Sequence, residues 1–347
     1  MDSLGVQEMK INNMRPFIIN AIIAISVVFF CLLSLEIYLR LSPFGLSFTP
    51  GGYVSHPLLR YTLRPGFTGK TYGHAFKINS LGFRDYEFKP VKEKGTFRIL
   101  CIGDSVTFGI GLDLEDTFPK QLERILRSSY PQDKIEVINC GVPSYNTLYE
   151  YLFLREIGLK YSPDLAIIGY VYNYSVYHYP ITTARYSLFN KAKDSLRRLY
   201  LYDFILSRIY KVIYALEGLT SKDPSARAQD LRYAYSDKYF GWQKNKEAFK
   251  LLSGLSGDSG IPIVYVIFPK FESMEKGYPY LFLHRTVRDT LKGEPYVLDL
   301  LPYFEGRITK DLWVSESDSH PNKEADAIAA KTISDYLSSK NLIRIRR

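Results

Sequence analysis

The first feature of the hydrophobic pattern is an uncharged apolar run, Phe17–Leu35. At about 1.5 Å per helical residue the run spans roughly 28 Å, close to the hydrocarbon thickness of a bilayer. No small-x-small cleavage site follows it, which favours an uncleaved anchor over a signal peptide. Lys10 and Arg15 precede it. We predict a tail at 1–16, one transmembrane helix at 17–39, a cytoplasmic N-terminus and an extracytoplasmic body.

Beyond residue 95, short apolar runs alternate with amphipathic segments. The runs predict strands at Phe97–Ile102, Ile135–Asn139, Leu165–Tyr170, Pro262–Phe268 and Tyr296–Asp299. The segments between them predict helices near 116–129, 146–160, 281–292 and 321–339. Strands joined through helices form parallel sheets. We therefore predict an α/β fold, a three-layer α/β/α sandwich around a mainly parallel five-stranded sheet.

Two regions fall outside this alternation. Residues 40–95 are rich in Gly, Pro and aromatic residues, and predict a linker and a hairpin packed on the main domain. Residues 180–250 predict a helical insertion within a domain at 96–340. The insertion holds a basic amphipathic stretch, 190–216, that suits a lid, a membrane contact or a helix packed on the body. We favour the packed helix.

Composition narrows the function classes. The net charge is +9, and the basic residues are spread along the chain without a nucleic-acid-binding motif, so we expect no nucleic-acid partner. Attraction to anionic lipid or polysaccharide and a plain solvated surface both fit the charge. Three cysteines make no disulfide framework, and we expect Cys101 and Cys140 to be buried thiols. No Cys/His spacing suggests a metal site.

One serine stands where open α/β sheets place their sites. The Gly-Asp-Ser sequence at 103–105 follows the first core strand, and the glycine permits a sharp turn that exposes Ser105. The same tripeptide recurs at 257–259, but there it precedes a strand, so we predict a turn. Position therefore selects Ser105 as the candidate nucleophile.

The next two strands also end in polar segments. Residues 139–147 place backbone N–H groups where an oxyanion could be bound. Asn173 comes four residues past Gly169, and its side-chain amide is suited to donate a second hydrogen bond to that oxyanion. The alternative at each position is a loop residue with satisfied hydrogen bonds.

The last polar segment contains the candidate base. Of five histidines, only His320 stands at a loop-to-helix junction after the last strand, with Pro321 predicted in the first turn of the final helix. Asp318 precedes it by two residues. An aspartate holds the imidazole tautomer while the other ring nitrogen takes the serine proton. Helix capping by Asp318 or His320 is the alternative.

These segments together resemble the motif blocks of the SGNH hydrolases, also called the GDSL family, over about 97–338. The matching residues are 103–105, Asn139, Gly141–Thr147, Asn173 and His320–Asn322. Asn79–Arg84, with the sequence NSLGFR, also resembles the segment that precedes the core in membrane-anchored members.

The resemblance implies a flavodoxin-like SGNH fold and an acyl-enzyme mechanism without metal or organic cofactor. It assigns Ser105 as nucleophile, His320 as base and Asp318 as the carboxylate that orients His320. The implied oxyanion hole consists of the Ser105 and Ser144 backbone N–H groups and the Asn173 amide.

The sequence departs from the family pattern at three positions. Ser144 replaces the oxyanion glycine, so a φ above zero would be strained there. Tyr174 replaces the aspartate that usually follows the block-three asparagine. Ser317 stands where the family has its aspartate, three residues before the histidine. This leaves a triad through Asp318, a dyad with His320 held by a backbone carbonyl, or a less favoured role for Glu316.

An exported and anchored member of this family implies an esterase for acyl, and specifically acetyl, esters on cell-surface polysaccharide. An O-acetyltransferase with the same acyl-enzyme is the first alternative, and lipid esters are a second substrate class. A tyrosine cluster at 170–179 could line a sugar-binding cleft or pack in the core. An inactive glycan-binding module is the alternative outside enzymology. Nucleotide binding is disfavoured because no third glycine follows Gly109 and Gly111 at the fingerprint spacing.

Overall fold

A computed structural model describes residues 3–41, 48–172, 195–196, 198–202, 204–205, 208–209, 224–275, 277–316 and 318–343. Among them the α-helices are α1 Ser3–Leu41, α2 Ser105–Phe108, α3 Phe118–Ser129, α4 Thr147–Glu156, α5 Pro224–Ala234, α6 Phe240–Ser259, α7 Leu281–Thr290 and α8 Lys323–Ser339. The strands are β1 Tyr53–His56, β2 Arg60–Leu63, β3 Thr68–Thr71, β4 His74–Lys77, β5 Thr96–Gly103, β6 Lys134–Gly141, β7 Leu165–Tyr170, β8 Ile263–Ile267, β9 Val297–Asp299, β10 Trp313–Ser315 and β11 Asp318–Pro321. Short 3-10 helices lie at Leu114–Asp116, Gly158–Tyr161, Leu301–Tyr303 and Thr309–Leu312.

The central sheet has the strand order β6-β5-β7-β8-β9, and every neighbouring pair is parallel. Apolar side chains cover both of its faces. On β5, Leu100 and Ile102 pack in one core cluster while Ile99 and Cys101 pack in the other. Helices α4, α6 and α7 contribute to the first cluster, and α3 and α8 contribute to the second. The predicted three-layer α/β/α sandwich is therefore confirmed.

Three glycines lie in register at the carboxyl ends of the central strands. Gly103 of β5 pairs with Gly141 of β6 and with Gly169 of β7. A Cβ on Gly141 would approach the Phe108 backbone nitrogen to 2.1 Å, and one on Gly103 would approach the Thr107 hydroxyl to 2.1 Å. Only glycine therefore allows α2 to pack this closely against the end of the sheet.

Apart from the half-buried Ala21, the residues of the apolar run Phe17–Leu35 in α1 are exposed. Pro16–Leu41 is long and apolar enough to cross a membrane by length and composition. Phe17, Ile22 and Phe29 are all more than half exposed. At its end, Glu36 accepts hydrogen bonds from the backbone N–H groups of Tyr200 and Leu201, at 3.1 and 2.8 Å.

Two antiparallel hairpins follow α1. β1 pairs with β2, and β3 pairs with β4 through the register Thr71↔His74, which leaves Tyr72 and Gly73 as a two-residue loop. Leu59, Leu63 and Phe76 are buried in the first core cluster. The hairpins are thus packed on the sheet domain.

The structure corrects two local predictions. Residues 257–259 are not a turn, because α6 continues to Ser259 and ends at Gly260 in the left-handed conformation. Pro321 is not in the first turn of the final helix, because it lies in β11. Asn322 caps α8 instead, and its side chain accepts from the Glu324 and Ala325 N–H groups at 3.0 and 3.1 Å.

Most of the amphipathic stretch predicted at 190–216 lies outside the described residues. In its described part, Leu196, Leu199, Ile205 and Ile209 are exposed. Later in the insertion, α5 contacts α7 and α6 contacts α4. These later helices pack on the body.

Candidate active site

Ser105 is the first residue of α2, directly after the central strand β5. The preceding Asp104 caps this helix, and its buried carboxylate accepts from the Val106 backbone N–H at 2.9 Å. The cap fixes the turn between strand and helix. The candidate nucleophile therefore lies at the carboxyl end of the sheet, between β5 and β7, where the strand order reverses.

His320 and Asp318 reach Ser105 from the β10–β11 hairpin. The Ser105 hydroxyl lies 2.8 Å from His320 Nε2. His320 Nδ1 lies 2.5 Å from Asp318 Oδ1, and the same oxygen accepts from the His320 backbone N–H at 2.8 Å. These contacts form a continuous chain from carboxylate to imidazole to hydroxyl.

The strand explains why a spacing of two residues works here. Residues i and i+2 of a β-strand project from the same face. Asp318 and His320 are both in β11, so their side chains share a face. Asp318 therefore lies against the ring, while Glu316 is exposed and Ser317 lies outside the described residues.

The environment of Asp318 favours its charged form. Burial by itself would raise the pKa of this carboxyl, but hydrogen bonds from His320 and Tyr72 and the charge of His320 lower it to about 2. The carboxylate is thus ionised at neutral pH and accepts the proton on Nδ1. Nε2 is then the ring nitrogen that can accept the hydroxyl proton of Ser105.

The loop after β6 has the strained backbone that its sequence predicted. Ser144 has a φ of 66°, in the left-handed region that glycine favours. The loop is tied at both ends: the Val142 N–H donates to the Gly103 carbonyl at 3.0 Å, and Asn146 caps α4. The Tyr61 hydroxyl of β2 donates to the Pro143 carbonyl at 2.8 Å.

The third segment is only partly visible. Asn173 lies outside the described residues, as do Tyr174, Tyr177 and Tyr179. Tyr170 and Tyr172 are buried in the first core cluster, and the Tyr170 hydroxyl donates to that of Tyr235 at 3.1 Å. These two tyrosines therefore pack in the core, and Tyr170 also lines a small cavity beside Asp104.

Arg84 was noted in the sequence only as part of a motif, yet it contacts the candidate nucleophile's helix. Its fully buried guanidinium donates to the carbonyls of Phe108 at 2.7 Å, Gly109 at 2.5 Å and Leu112. Burial lowers its pKa to about 10. Arg84 thereby satisfies the carbonyls at the C-terminal end of α2.

A buried carboxyl lies on the other side of Asp104. Glu150 of α4 lines a small cavity together with Asp104, Thr147 and Asn245. One Glu150 oxygen is buried without a hydrogen-bond partner. Burial, with the nearby charge of Asp104, raises the pKa of Glu150 well above its usual value.

A second histidine–aspartate pair joins α7 and β9. His284 Nδ1 is 2.7 Å from Asp299 Oδ1, and His284 Nε2 is 3.3 Å from the Tyr278 hydroxyl. His284 is buried and both of its ring nitrogens have protein partners. This arrangement leaves no ring nitrogen for a substrate.

Comparison with sequence models of known families finds no match, and comparison with curated proteins finds none either. Among solved structures, a protein from Desulfitobacterium hafniense DCB-2 described as a lipolytic protein of the G-D-S-L family matches at 14% identity and TM-score 0.40, over 69% of this chain and 99% of its own. Esterase EstA from Pseudoalteromonas sp. matches at 15% identity and TM-score 0.40, over 70% of this chain and 98% of its own. A variant of the acetyl xylan esterase Axe2 from Geobacillus stearothermophilus matches at 13% identity and TM-score 0.43, over 75% of this chain and 100% of its own. At this identity the likeness concerns the fold alone.

Proposed function

We propose that the chain is a serine esterase that cleaves acyl esters through an acyl-enzyme. The observation that carries the proposal is the contact chain Asp318–His320–Ser105, with distances of 2.5 and 2.8 Å, at the carboxyl end of the central strand. His320 takes the hydroxyl proton as Ser105 attacks the ester carbonyl, and the C–O bond to the alcohol breaks as His320 returns the proton to it. Water, deprotonated by the same imidazole, then releases the acid and restores Ser105.

The oxyanion formed at each step needs donors. We assign the backbone N–H groups of Ser105 and Ser144 and the side-chain amide of Asn173 to this role, as the family resemblance implies. The positive φ of Ser144 supports the assignment, because strain at a non-glycine residue persists where a fixed backbone direction is required.

The substrate and the location are part of the proposal. An apolar helix long enough to span a bilayer precedes the domain, and Lys10 and Arg15 precede the apolar run. We place the N-terminus in the cytoplasm and the domain outside the membrane. There an acetylated cell-surface polysaccharide is the ester that the resemblance implies.

Fluorophosphonate labelling tests the proposal, because this probe reacts with activated serines. We expect the full wild-type chain in detergent to be labelled and Ser105→Ala to lose labelling. Ser259→Ala is the control for both. Ser259 belongs to the second Gly-Asp-Ser tripeptide but lies at the end of α6, so this control should label like the wild type. An unlabelled wild type, or equal labelling of Ser105→Ala, would overturn the esterase assignment.

Hydrolysis is tested by acetate release from an acetylated oligosaccharide. We expect acetate to appear at the same rate with or without a second, unacetylated oligosaccharide. Acetyl appearing on the second oligosaccharide in place of free acetate would contradict hydrolysis and assign the same acyl-enzyme to transfer.

A further inference from the structure

The β3–β4 hairpin turns through an unexpected residue. Its two loop residues, Tyr72 and Gly73, have φ values of 46° and 88°. A two-residue hairpin loop with positive φ at both positions is typically Asn-Gly or Asp-Gly, because asparagine and aspartate tolerate the left-handed region. A tyrosine in this conformation is strained, and such strain persists only where contacts around the residue hold it.

The Tyr72 ring packs against the first core cluster, and polar contacts at the turn and beside it reach the candidate active site and its immediate support. The Tyr72 side chain makes a hydrogen bond with the Asp318 carboxylate. Next to it, the Thr71 hydroxyl accepts from the Gly111 backbone N–H at 3.2 Å. On the other side, His74 Nδ1 lies 3.2 Å from an Asp113 oxygen. The tip of the hairpin is thus docked on the loop that follows α2 and on β11.

We infer that Tyr72 is a positioning residue for the esterase reaction, and that its hydroxyl extends the contact chain to Tyr72–Asp318–His320–Ser105. This inference rests on the proposed function. Asp318 receives hydrogen bonds from His320 on its own strand and from Tyr72 on the hairpin, and its cross-strand neighbour in β10 is the uncharged Ser315. The phenol therefore gives the carboxylate a second fixed donor besides His320.

The second donor has a chemical consequence. A carboxylate that shares its charge with a phenol holds a protonated imidazole less strongly than a carboxylate with one partner does. Tyr72 thus orients Asp318 while moderating its attraction for the imidazolium. Removing the Tyr72 hydroxyl therefore has two effects: Asp318 is oriented less firmly, and its attraction for the His320 imidazolium becomes stronger.

Tyr72→Phe removes the hydroxyl but keeps the ring and the strained backbone. It therefore measures the effect of the hydroxyl alone. We expect kcat to fall about ten- to hundred-fold, the effect of losing one hydrogen bond to a charged group, with KM nearly unchanged. The acid limb of kcat/KM against pH should move to higher pH. Tyr86→Phe is the matched control, because the Tyr86 hydroxyl also donates to a carboxylate, that of the exposed Glu115, outside the site.

Two further variants keep the test decisive. Tyr72→Asn suits the turn, so it should raise the melting temperature while lowering kcat at least as much as Tyr72→Phe. In an Asp318→Asn background, Tyr72→Phe should cause no further loss, because the two residues act through one link.

The outcomes are distinguishable from failure of the proposed function. If the wild type hydrolyses ester and labels with fluorophosphonate while Tyr72→Phe matches Tyr86→Phe in kcat and pH profile, the role of Tyr72 is overturned alone. A full additional loss in the Asp318→Asn background would overturn it as well. If the wild type neither labels nor hydrolyses, the esterase assignment itself fails.

Discussion

Arg84 offers the most demanding test of how the nucleophile candidate is held. Its guanidinium is fully buried and donates to three backbone carbonyls at and beyond the end of α2, the helix that begins with Ser105. Arg84→Lys keeps a cation but replaces a planar fork with a single ammonium group. One nitrogen on a shorter stem cannot reach all three carbonyls.

The magnitude follows from the bonds lost. A hydrogen bond to a charged group is worth about 1.5–3 kcal/mol, so losing two of the three lowers the free energy of unfolding by about 3 kcal/mol or more. That is a large part of the free energy of unfolding of a typical domain, which is about 5–15 kcal/mol. The burial that lowers the pKa of Arg84 to about 10 acts on a lysine too and favours its neutral form. With the end of α2 released, we expect kcat to fall at least about ten-fold, since displacements near 1 Å cost about a hundred-fold.

Urea unfolding and ester hydrolysis of the full chain in detergent measure the two effects. Arg64→Lys is the matched control, because Arg64 also donates to backbone carbonyls of the N-terminal region, Gly51 at 2.6 Å and Tyr53 at 3.1 Å. It should lose stability but keep kcat. The reasoning is refuted if Arg84→Lys has the same urea midpoint of unfolding as the wild type. It is also refuted if the kcat of Arg84→Lys is no lower than that of Arg64→Lys.

Four further predictions concern three side chains. Asp318→Asn should lower kcat about 10⁴-fold with little change in KM, measured by acetate release, and a near-neutral result would favour a dyad. The Asp318 carboxyl has a pKa lowered to about 2, so its ionised form stabilises the folded state at neutral pH. This stabilisation should be lost as pH falls from about 4 towards 2, which is measured by comparing the free energy of unfolding of the wild type and Asp318→Asn over that range. Ser144→Gly should raise the free energy of unfolding by about 1 kcal/mol and retain activity, because the backbone N–H remains. Glu150 has a raised pKa, so folding favours its protonated form and stability falls as pH rises above its unfolded value; Glu150→Gln should gain on wild type above about pH 4.5 in urea unfolding.

The sheet was predictable because its strands are buried on both faces. A fully buried strand reads as a continuous apolar run, and Leu165–Tyr170 was predicted with the bounds that the structure has. The ends of the helices were harder to predict from the sequence. A proline suits the first turn of a helix and also an edge strand, so Pro321 alone could not show that β11 precedes the helix.

The site was predictable in its residue types and less so in its supports. Ser105, Asp318 and His320 stand next to strand and helix boundaries that local patterns reveal. The contacts from Tyr61, Tyr72 and Arg84 join segments far apart in sequence, and no local periodicity encodes them. One signal was available: a tyrosine before a glycine, between two short strand-like segments, is an unusual choice for a two-residue turn.

The position of β11 has a consequence for biosynthesis. Ser105 follows the first strand of the central sheet, whereas His320 lies in the last strand before the final helix. A nascent chain emerging amino end first exposes the serine long before its base has been translated. Without that base a serine hydroxyl has the reactivity of an ordinary alcohol. In the proposed mechanism, Ser105 therefore becomes a reactive nucleophile only when the β10–β11 hairpin brings His320 into contact with it.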